Sequence, residues 1–446
     1  MVPTPEDGSL IDDPGAVSIP TPAIPPGHAA PDSLLVAFSG GLDSTALLHL
    51  LAQGFPGRVR ALHVHHGLQA EADAWARHCE AFCAALQVPL QIVHAQVEAD
   101  AGTGPEAAAR HARHAAFREY LNPGAWLVLA HHREDQAETF LLRALRASGP
   151  DGLAAMRPLR EFGAGMMWRP LLDVSRSALR DHAERHRLAW IEDPSNDSLD
   201  FDRNFLRHEV MPLLRGRWRH ADAAFARSAA LAGEAATLLA ESDVPDLARV
   251  RSPADAADLD ATALRALAPA RRARVLRAWV AAAGLPPLPA AAHAIIDREL
   301  LESRFDAEPC HEWHGARIER WRDRLHLGRA IPTPDPDWSR RWDGSAPIVL
   351  PGGGRLVLAG SPGFGKMLEV RHRRGGERIR LPGRVHSSLL RNLLQEGEMP
   401  PWRRRQMPLL FDPDDDCLLA AGDSLLAARF AAIAGAADAR LEWQLA

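Results

Sequence analysis

Apolar runs alternate with amphipathic stretches through the first half of the chain. Residues 34–38 are consecutive apolar residues, which predict a short buried strand, and residues 44–51 have the apolar spacing of a helix. Helical patterns separate three further runs that predict strands, at 59–64, 90–94 and 126–130. Strands that alternate with helices are typical of a parallel α/β sheet.

The second half has a different pattern. Residues 223–329 are rich in alanine, leucine and arginine and have helical periodicity, most clearly at 264–283 and 290–301. From residue 347, short β-like runs alternate with glycine-rich turns, which predicts a small mixed domain. The start of the chain has many prolines and no periodicity, which predicts disorder. We therefore predict a disordered tail at 1–30, an α/β domain at 31–220, a helical linker domain at 221–332 and a C-terminal domain at 346–446.

Composition narrows the class of protein. A chain of 446 residues is long enough for two or three domains. Its net charge of -5 gives no overall signature of nucleic-acid binding, so such binding has to rest on local basic patches. The four cysteines are too few and too scattered for a disulfide framework. No apolar run reaches the length of a membrane span, so we expect a cytoplasmic protein with no membrane partner.

A loop of small polar residues, 39–44, joins the first predicted strand to its helix. Free backbone N–H groups and the positive end of the helix dipole converge there and make an anion site. Ser39 and Ser44 add hydroxyl donors, and Gly40 and Gly41 let an oxyanion approach the backbone. Asp43 would repel phosphate unless Mg²⁺ lies between them, because carboxylates and phosphate oxygens together hold magnesium. The spacing is neither that of a Walker loop nor that of a dinucleotide site, and an ordinary strand–turn–helix connection is the alternative.

Polar residues also gather where two predicted strands end. His65 and His66 follow the second strand, and the carboxyl ends of parallel strands line the ligand crevice of such a sheet. After the fourth strand, three carboxylates within about one helical turn favour a second magnesium contact or acid–base catalysis over a solvated face. His131 and His132, which follow the fourth strand, fit metal ligands, bases or neighbours of a helix cap equally well. The group after the fourth strand comprises His132, Glu134, Asp135 and Glu138.

Two arginine groups lie on predicted helices of the α/β domain. Arg110 and Arg113 are three residues apart and project from one helix face, which fits a solvated face and a clamp for an anionic substrate equally well. A turn-rich acidic loop at 190–197 precedes a basic helix that carries Arg203, Asn204 and Arg207. This segment is either a capped helix start or a cover over a nucleotide.

Arginines also crowd the C-terminal domain, at residues 371–384 and directly after Trp402. A run of charges is usually a solvated face. Two arginine clusters beside a tryptophan, in a chain of negative net charge, favour contact with an RNA backbone instead. We expect such binding to depend on phosphates and therefore on salt.

The ordered set of these stretches resembles one family. The string at 39–44 is similar to the pyrophosphate-binding loop of the N-type ATP pyrophosphatases, which cut ATP into AMP and pyrophosphate. From about residue 33 to its end the chain resembles the tRNA(Ile)-lysidine synthetases. The resemblance implies a Rossmann-like parallel-sheet PP-loop domain, a helical linker domain and a small α+β C-terminal domain. The matching stretches are 39–44, 63–68, 106–113, 130–139, 148–156, 169–179, 190–207, 374–379, 399–402 and 408–410.

The same resemblance implies a two-step ligase that uses ATP, Mg²⁺, free L-lysine and a tRNA(Ile) with a CAU anticodon. ATP would first adenylate the C2 carbonyl oxygen of the wobble cytidine. The ε-amine of lysine would then displace AMP and give lysidine, which changes the codon and amino-acid identity of the tRNA. A homodimer is compatible with this resemblance.

Residue roles follow from the resemblance as well. The catalytic set would be Asp43, Asp135, Glu138, Arg110 and Arg113. In it the two aspartates would hold Mg²⁺, the two arginines would orient phosphate or the adenylated base, and the glutamate, or Glu134 beside it, would receive the lysine ammonium and take its proton. The pyrophosphate would be bound by Ser39, Gly40, Gly41, Leu42, Asp43 and Ser44. The substrates would be bound by His65, His66, His132, Glu134, Arg203, Asn204 and Arg207, and the RNA by Arg374, Arg378, Arg391, Trp402 and Arg403.

Some positions depart from the family pattern. Glu134 stands where most relatives carry an aspartate, and His114 stands where a tyrosine is usual. Arg391 and Asn392 replace a pair of lysines, which changes one expected phosphate contact.

Alternatives to this function come from inside and outside the class. A tRNA thiolase uses the same loop but normally needs C-x-x-C pairs, and the sequence has none. An amide-forming relative would carry a glutamine-hydrolysing domain, which is not evident in the sequence. A non-catalytic tRNA-binding protein would use the loop only to sense nucleotide.

Overall fold

The computed structural model describes residues 19–65, 71–95, 105–194, 198–253, 255–304, 307–332, 335–434 and 438–444. The predictions for His66 and for residues 1–18 lie outside this part of the chain. The protein forms two compact units, Met1–Leu239 and Ala240–Ala446. Among the helices of the described residues, none is both long and apolar enough to cross a membrane.

The first unit contains a six-stranded sheet. Its strands are β1 Leu34–Ala37, β2 Val59–His65, β3 Leu90–His94, β4 Trp126–Val128, β5 Leu159–Phe162 and β6 Gly165–Trp168. They are ordered β3-β2-β1-β4-β6-β5, and only the β5–β6 pair is antiparallel. This confirms the predicted parallel sheet. The strand order reverses at β1, and such a reversal opens a ligand crevice beyond the carboxyl ends of the strands.

Helices connect these strands and follow them. They are α1 Leu42–Gly54, α2 Ala72–Ala85, α3 Pro105–Tyr120, α4 Arg133–Leu145, α5 Pro150–Leu153, α6 Arg176–Arg185, α7 Asp202–Phe205 and α8 Met211–Arg217. A π-helical turn, Leu206–Val210, joins α7 directly to α8. The three pieces therefore run as one helix from residue 202 to residue 217.

Alternation along β1 sends apolar side chains to both faces of the sheet. Leu34 and Val36 join the buried cluster that includes α1, whereas Leu35 joins a second cluster with Phe117 of α3. Because both faces are covered, this strand is apolar throughout. Ile19 also belongs to the first cluster and is 6% exposed, so the predicted disordered tail does not extend to this residue.

The second unit begins with helices and a small antiparallel sheet, ordered β7-β10-β9-β8. The strands correct the helical prediction for residues 310–329, where buried Leu325 and Leu327 alternate with more exposed residues as in a strand. The helix predicted at 264–283 is two helices, because Pro269 begins a new one at its first position. Helix α9, Ala221–Val250, begins in the first unit and ends in the second. The elements that follow it are β7 Asp258–Asp260, α10 Ala261–Arg265, α11 Pro269–Ala282, α12 Ala292–Ile295, a π-helix Ile296–Leu301, β8 Cys310–Trp313, β9 Ala316–Trp321 and β10 Arg324–Arg329.

The rest of the second unit is a mixture of short strands and helices around one apolar core, which confirms the predicted α+β architecture. The strands form three small sheets. The strands are β11 Ser339–Trp342, β12 Ile348–Val349, β13 Arg355–Ala359, β14 Leu368–Arg371, β15 Arg378–Ile379, β16 Ser388–Leu389, β17 Leu409–Asp412, β18 Cys417–Ala421, β19 Leu425–Leu426 and β20 Arg440–Gln444. The helices are α13 Leu390–Glu396, α14 Pro401–Gln406 and α15 Phe430–Ile433.

Candidate active site

The loop between β1 and α1 has a conformation that requires glycine. Gly40 has a φ of 83°, in the left-handed region that side chains disfavour. A Cβ atom there would lie 2.6 Å from Cδ1 of Ile191 and 3.0 Å from Sγ of Cys79. The Ile191 N–H also donates to the Gly40 carbonyl at 2.9 Å, so the segment after α6 supports the loop from one side. A side chain at residue 40 would therefore displace the loop.

Hydroxyl groups cross-link the same loop. Oγ of Ser39 and Oγ of Ser44 lie 3.1 Å apart, and Ser44 Oγ donates to the Gly41 carbonyl at 3.1 Å. Thr45 Oγ1 donates to the Gly40 carbonyl at 3.2 Å. Gly41 occupies the N-cap of α1 and has no side chain to accept from the first N–H groups of the helix. Those N–H groups and the helix dipole suit the loop to a phosphate.

Asp43, in the first turn of α1, meets His132 at the start of α4. Asp43 Oδ2 lies 3.6 Å from His132 Nε2, and Asp135 Oδ2 lies 3.4 Å from the same nitrogen. Burial raises the pKa of Asp43, and the charge of His132 opposes that rise. Burial alone would also raise the pKa of Asp135, but His132 and Arg203 hold it well below its ordinary value. The structure thus brings three of the predicted site residues together.

The acids around His132 favour its protonated form. Burial alone would lower its pKa, but the hydrogen bond with Glu134 and the charges of Asp135 and Asp43 raise the pKa above its ordinary value. Nδ1 of the ring is hydrogen-bonded to Glu134, and Nε2 lies within ion-pair distance of Asp43 and Asp135, so the ring lies between the three carboxylates.

Glu138 is 1% exposed and is enclosed by two guanidinium groups. Arg203 Nε donates to Glu138 Oε2 at 2.8 Å, and Arg207 Nε donates to Oε1 at 2.7 Å. Both arginines also donate to Asp135 Oδ1, at 2.8 and 3.1 Å. Since both oxygens of Glu138 are engaged, this geometry does not suit the predicted removal of a proton from lysine. Glu138 instead attaches the helix that begins at residue 202 to α4, through its hydrogen bonds with Arg203 and Arg207.

Glu134 has an orienting geometry too. Its Oε2 accepts from Nδ1 of His132 at 2.9 Å and from the backbone N–H of Arg176 at 3.0 Å. Burial alone would raise the pKa of Glu134, but the hydrogen bond from His132 lowers it. The glutamate that departs from the family pattern therefore links the starts of α4 and α6.

Two buried polar atoms beside the loop have no hydrogen-bond partner among the described residues. They are Asp43 Oδ1 and Arg176 Nε, and they lie 3.9 Å apart. Buried polar atoms are nearly always paired, so these two indicate where ligand atoms bind. Mg²⁺ takes carboxylate oxygens and phosphate takes guanidinium N–H groups, so the donor set fits a magnesium–phosphate complex.

Arg176 is a residue that the sequence analysis did not single out. It occupies the first position of α6, directly after Ser175, whose hydroxyl caps the helix by accepting from the N–H of Ala178. The available signal was the serine cap followed by arginine within the matching stretch 169–179. That signal indicates a helix start, but it does not indicate that Arg176 lies near Asp43 of α1, 133 residues earlier in the chain. The packing of α1 on α6 brings the two side chains close, and His49 and His182 meet in the same contact between helices.

The other predicted substrate residues of the first unit have structural partners. His65 Nε2 lies 3.0 Å from Asp73 Oδ1, and the His65 ring packs on His94 with 4.6 Å between centroids. Asn204 is buried, and its Nδ2 donates to the Ser198 carbonyl at 2.9 Å. Both interactions position chain segments at the carboxyl edge of the sheet or ahead of α7.

Arg110 and Arg113 lie exposed on α3. Arg110 belongs to a group of arginines that repel one another. Burial lowers the pKa of Arg169 to about 10, and the charges of Arg160 and Arg110 contribute to the shift. Burial likewise lowers the pKa of Arg143, with Arg110 next in effect. Positive charge concentrated in this way favours an anionic ligand.

The predicted RNA contacts in the second unit divide into buried and exposed residues. Trp402 is 7% exposed, stacks on His326 with 4.4 Å between ring centroids and meets the edge of Trp321. A ring buried in this way has no free face for an RNA base, so the prediction for Trp402 is corrected to a packing role. The exposed residues are Arg374, Arg378, Arg391 and Arg403.

Three family models match the chain in order. A PP-loop domain matches residues 23–214, a TilS substrate binding domain matches 259–326 and a TilS substrate C-terminal domain matches 368–443. A tRNA(Ile)-lysidine synthase of Xanthomonas campestris pv. campestris is 52% identical over 430 residues, which are 95% of this chain and 97% of that protein. The chain belongs to the tRNA(Ile)-lysidine synthase family.

Similarity to tRNA(Ile)-lysidine synthases extends to other bacteria. The one from Xylella fastidiosa is 53% identical over 437 residues, covering 96% of this chain and 98% of that protein. The one from Pseudomonas aeruginosa is 45% identical over 399 residues, covering 85% and 87%. Membership of the tRNA(Ile)-lysidine synthase family confirms the predicted ATP-dependent ligase of the PP-loop class. It does not favour the thiolase or the non-catalytic alternative.

Proposed function

We propose that the protein joins the ε-amine of free L-lysine to C2 of the wobble cytidine in a tRNA(Ile) with a CAU anticodon. The products are lysidine, AMP and pyrophosphate. One observation supports the chemistry most directly. Asp43 Oδ1 and Arg176 Nε, 3.9 Å apart, have no hydrogen-bond partner among the described residues, and they lie beside a loop that is suited to phosphate.

In the first step, the C2 oxygen of the cytidine attacks the α-phosphorus of ATP, and the bond to pyrophosphate breaks. Negative charge accumulates on the leaving group, so donors that bind it there accelerate the step. The N–H groups at the start of α1 and the hydroxyl of Ser39 are such donors, and Arg176 adds a charged one. Asp43, whose Oδ1 has no hydrogen-bond partner among the described residues, would hold Mg²⁺, which neutralises phosphate charge. Both oxygens of Asp135 accept hydrogen bonds from Arg203, Arg207 and the backbone N–H of His132, so we assign Asp135 to positioning.

In the second step, the lysine ε-amine attacks C2, and AMP leaves with the electrons of the C2–O bond. The ammonium form has no lone pair, so a proton must leave before attack. Glu138 and Glu134 are engaged by Arg203, Arg207 and His132, and we assign them to positioning. The charge of the adenylate would be met by the arginine group around Arg110 on α3.

The tRNA needs a wider surface than the nucleotide site. We propose that Arg374, Arg378, Arg391 and Arg403, all exposed, contact its phosphate backbone. Because tRNA and ATP are cytoplasmic substrates, we place the reaction in the cytoplasm. The homodimer stays a prediction that analytical ultracentrifugation tests.

The first experiment measures incorporation of labelled lysine with ATP and Mg²⁺. We expect label in a CAU-anticodon tRNA(Ile) and none in an elongator tRNA(Met). Pyrophosphate release without label would contradict lysine as the nucleophile and retain the adenylation step.

A variant of the loop tests the first step. We expect Asp43→Asn to lower tRNA-dependent pyrophosphate release by about 100-fold or more, because loss of one transition-state charge contact costs about 10²–10³ in rate, and to leave tRNA affinity unchanged. Asp181→Asn, an exposed aspartate of α6, is the matched control. Equal pyrophosphate release by both variants would contradict the role of Asp43.

A further inference from the structure

Trp218 is an exposed aromatic ring at the end of α8. It is 59% exposed, and each of the other tryptophans, all within the described residues, is buried or half-buried. It follows Arg217 as the C-cap residue, with an extended backbone. A single exposed apolar residue is ordinary, but a tryptophan ring offers a flat aromatic face on which a nucleic-acid base can stack.

Positive charge surrounds this ring. The Arg217 guanidinium lies 5.8 Å from the ring centroid, and Arg217, Arg219 and His220 are all exposed. Arg215, one turn earlier, is neutralised by two hydrogen bonds to Asp222, at 2.7 and 2.9 Å. Arg217 and Arg219 have no carboxylate within ion-pair distance in the described part of the chain. The surface thus combines one aromatic face with two uncompensated cations.

The position of Trp218 relates this surface to the active site. The helix that ends at Arg217 begins at residue 202, and Arg207 on it belongs to the Glu138 network. At about 1.5 Å per residue, Trp218 lies about 16 Å along the helix axis from Arg207. A substrate larger than a nucleotide can therefore contact the Glu138 network and Trp218 at the same time.

Charge decides between two occupants of this surface. In a symmetric dimer built on Trp218, Arg217 and Arg219 of one copy would face the same residues of the other, and like charges would repel. An RNA has the opposite charge, and unpaired bases stack on aromatic rings and on guanidinium planes. The observations therefore favour a nucleic acid.

We propose that Trp218 is a stacking platform for an unpaired base of the tRNA, with Arg217 and Arg219 binding the adjacent phosphates. This inference rests on the proposed function, because it takes tRNA as the substrate. It adds a binding surface in the first unit, which we call the catalytic unit because it contains the 39–44 loop. This surface is additional to the exposed arginines of the second unit.

The test measures the affinity of the full-length protein for the CAU-anticodon tRNA(Ile) over a range of salt concentrations. We expect Trp218→Ala to weaken binding by about tenfold or more, because the base loses the aromatic ring on which it stacks, and Trp218→Phe to restore most of the affinity. We expect Arg217→Gln with Arg219→Gln to reduce the salt slope by about 0.7 for each lost phosphate contact. Leu238→Ala, which also removes an exposed apolar side chain of the first unit, is the control with unchanged affinity.

The outcomes separate this inference from the function on which it rests. If wild-type protein binds no tRNA, the proposed function fails. If wild type binds and Trp218→Ala binds equally well, the stacking platform alone is overturned. Loss of dimer sedimentation in Trp218→Ala at unchanged tRNA affinity would likewise overturn it in favour of a protein interface. Weakened binding by Trp218→Ala, restored by Trp218→Phe at equal thermal stability, supports it.

Discussion

Charge compensation at Glu138 illustrates how single residues hold the site together. A buried carboxylate that loses its partners becomes an uncompensated charge, which costs about 3–5 kcal/mol. An exposed ion pair contributes only about 0–1 kcal/mol, because water solvates both groups when the pair is broken. The burial of each pair, rather than the number of pairs, therefore sets its contribution to stability.

We expect Arg207→Met to lower the free energy of unfolding by about 1–3 kcal/mol, because it leaves the buried Glu138 carboxylate with one guanidinium instead of two. Arg227→Met removes the exposed pair with Glu234, whose atoms are 3.5 Å apart, and should cost less than about 1 kcal/mol. Urea denaturation monitored by circular dichroism measures both changes. Equal losses in the two variants would be inconsistent with a buried network.

Trp402 is expected to affect stability rather than RNA contact. We expect Trp402→Ala to lower the free energy of unfolding by about 3–5 kcal/mol, because it removes a ring packed on His326 and Trp321. Trp402→Phe should retain much of the stability and all of the tRNA affinity. A Trp402→Phe variant of normal stability that binds tRNA weakly would show that the packing role is incomplete.

At the scale of elements, the sequence predicted the strands and helices that are determined by residues close together in the chain. The apolar run and the glycine turn specify the β1–loop–α1 unit, and the structure has it with β1 at Leu34–Ala37 and α1 at Leu42–Gly54. Local patterns contain nothing about distant contacts, so they did not predict that Ile191 packs on Gly40. The contact between Arg176 and Asp43 was missed for the same reason.

The strands at 310–329 were missed for a different reason. The surrounding region is dominated by alanine, leucine and arginine, which suit helices, and the alternation of Leu325 and Leu327 is too short to stand out against it. The pairing of β9 with β10 then decides the structure through tertiary contacts that override local propensity.

The packing of α1 on α6 should make stability depend on pH. His49 Nδ1 and His182 Nε2 lie 3.0 Å apart in a buried contact between the two helices, with Gln53 and His186 beside them. Burial, together with the charges of His186, His49 and Arg185, lowers the pKa of His182 from its ordinary 6.5 to about 4. Between these values the unfolded chain binds a proton that the folded chain does not bind, so stability is lost as the pH falls from 6.5 towards 4.

Urea midpoints at neutral pH and at pH values inside that window measure this dependence. We expect His182→Leu to flatten the profile, because it removes a titrating group from the interface. The exposed His386→Leu should leave the profile unchanged. An identical acid dependence in wild type and His182→Leu would rule out this histidine as the source.

At the scale of the whole molecule, RNA binding has to rest on local surfaces, because the net charge of the chain is -5. The exposed arginines proposed for the second unit belong to short strands, helices and turns that one apolar core holds together. Phosphate contacts of this kind position an RNA and carry no sequence information by themselves. Selection of the wobble cytidine is therefore assigned to the catalytic unit.

We expect a variant with glutamine at Arg374, Arg378, Arg391 and Arg403 to bind tRNA more weakly. Its salt slope should be smaller by about 0.7–0.9 per lost phosphate contact, the range from single strands to a B-form duplex. Pyrophosphate release at saturating tRNA should stay within about twofold of wild type, since these residues lie outside the catalytic unit. Arg185→Gln, at an exposed position of α6, is the control. An unchanged salt slope in the quadruple variant would contradict the proposed tRNA surface.

The enclosure of Glu138 has a consequence for the order in which the protein is made. Arg203 follows Glu138 by 65 residues, so at about 5–20 residues per second the ribosome delivers the partner several seconds after the acid. Until then Glu138 has neither guanidinium partner, and burial of its uncompensated charge would be costly. Ile191, which supports Gly40, also comes late. The ribosome therefore completes the strands of the parallel sheet, the last of which ends at Trp168, before it makes the residues that complete the ATP site.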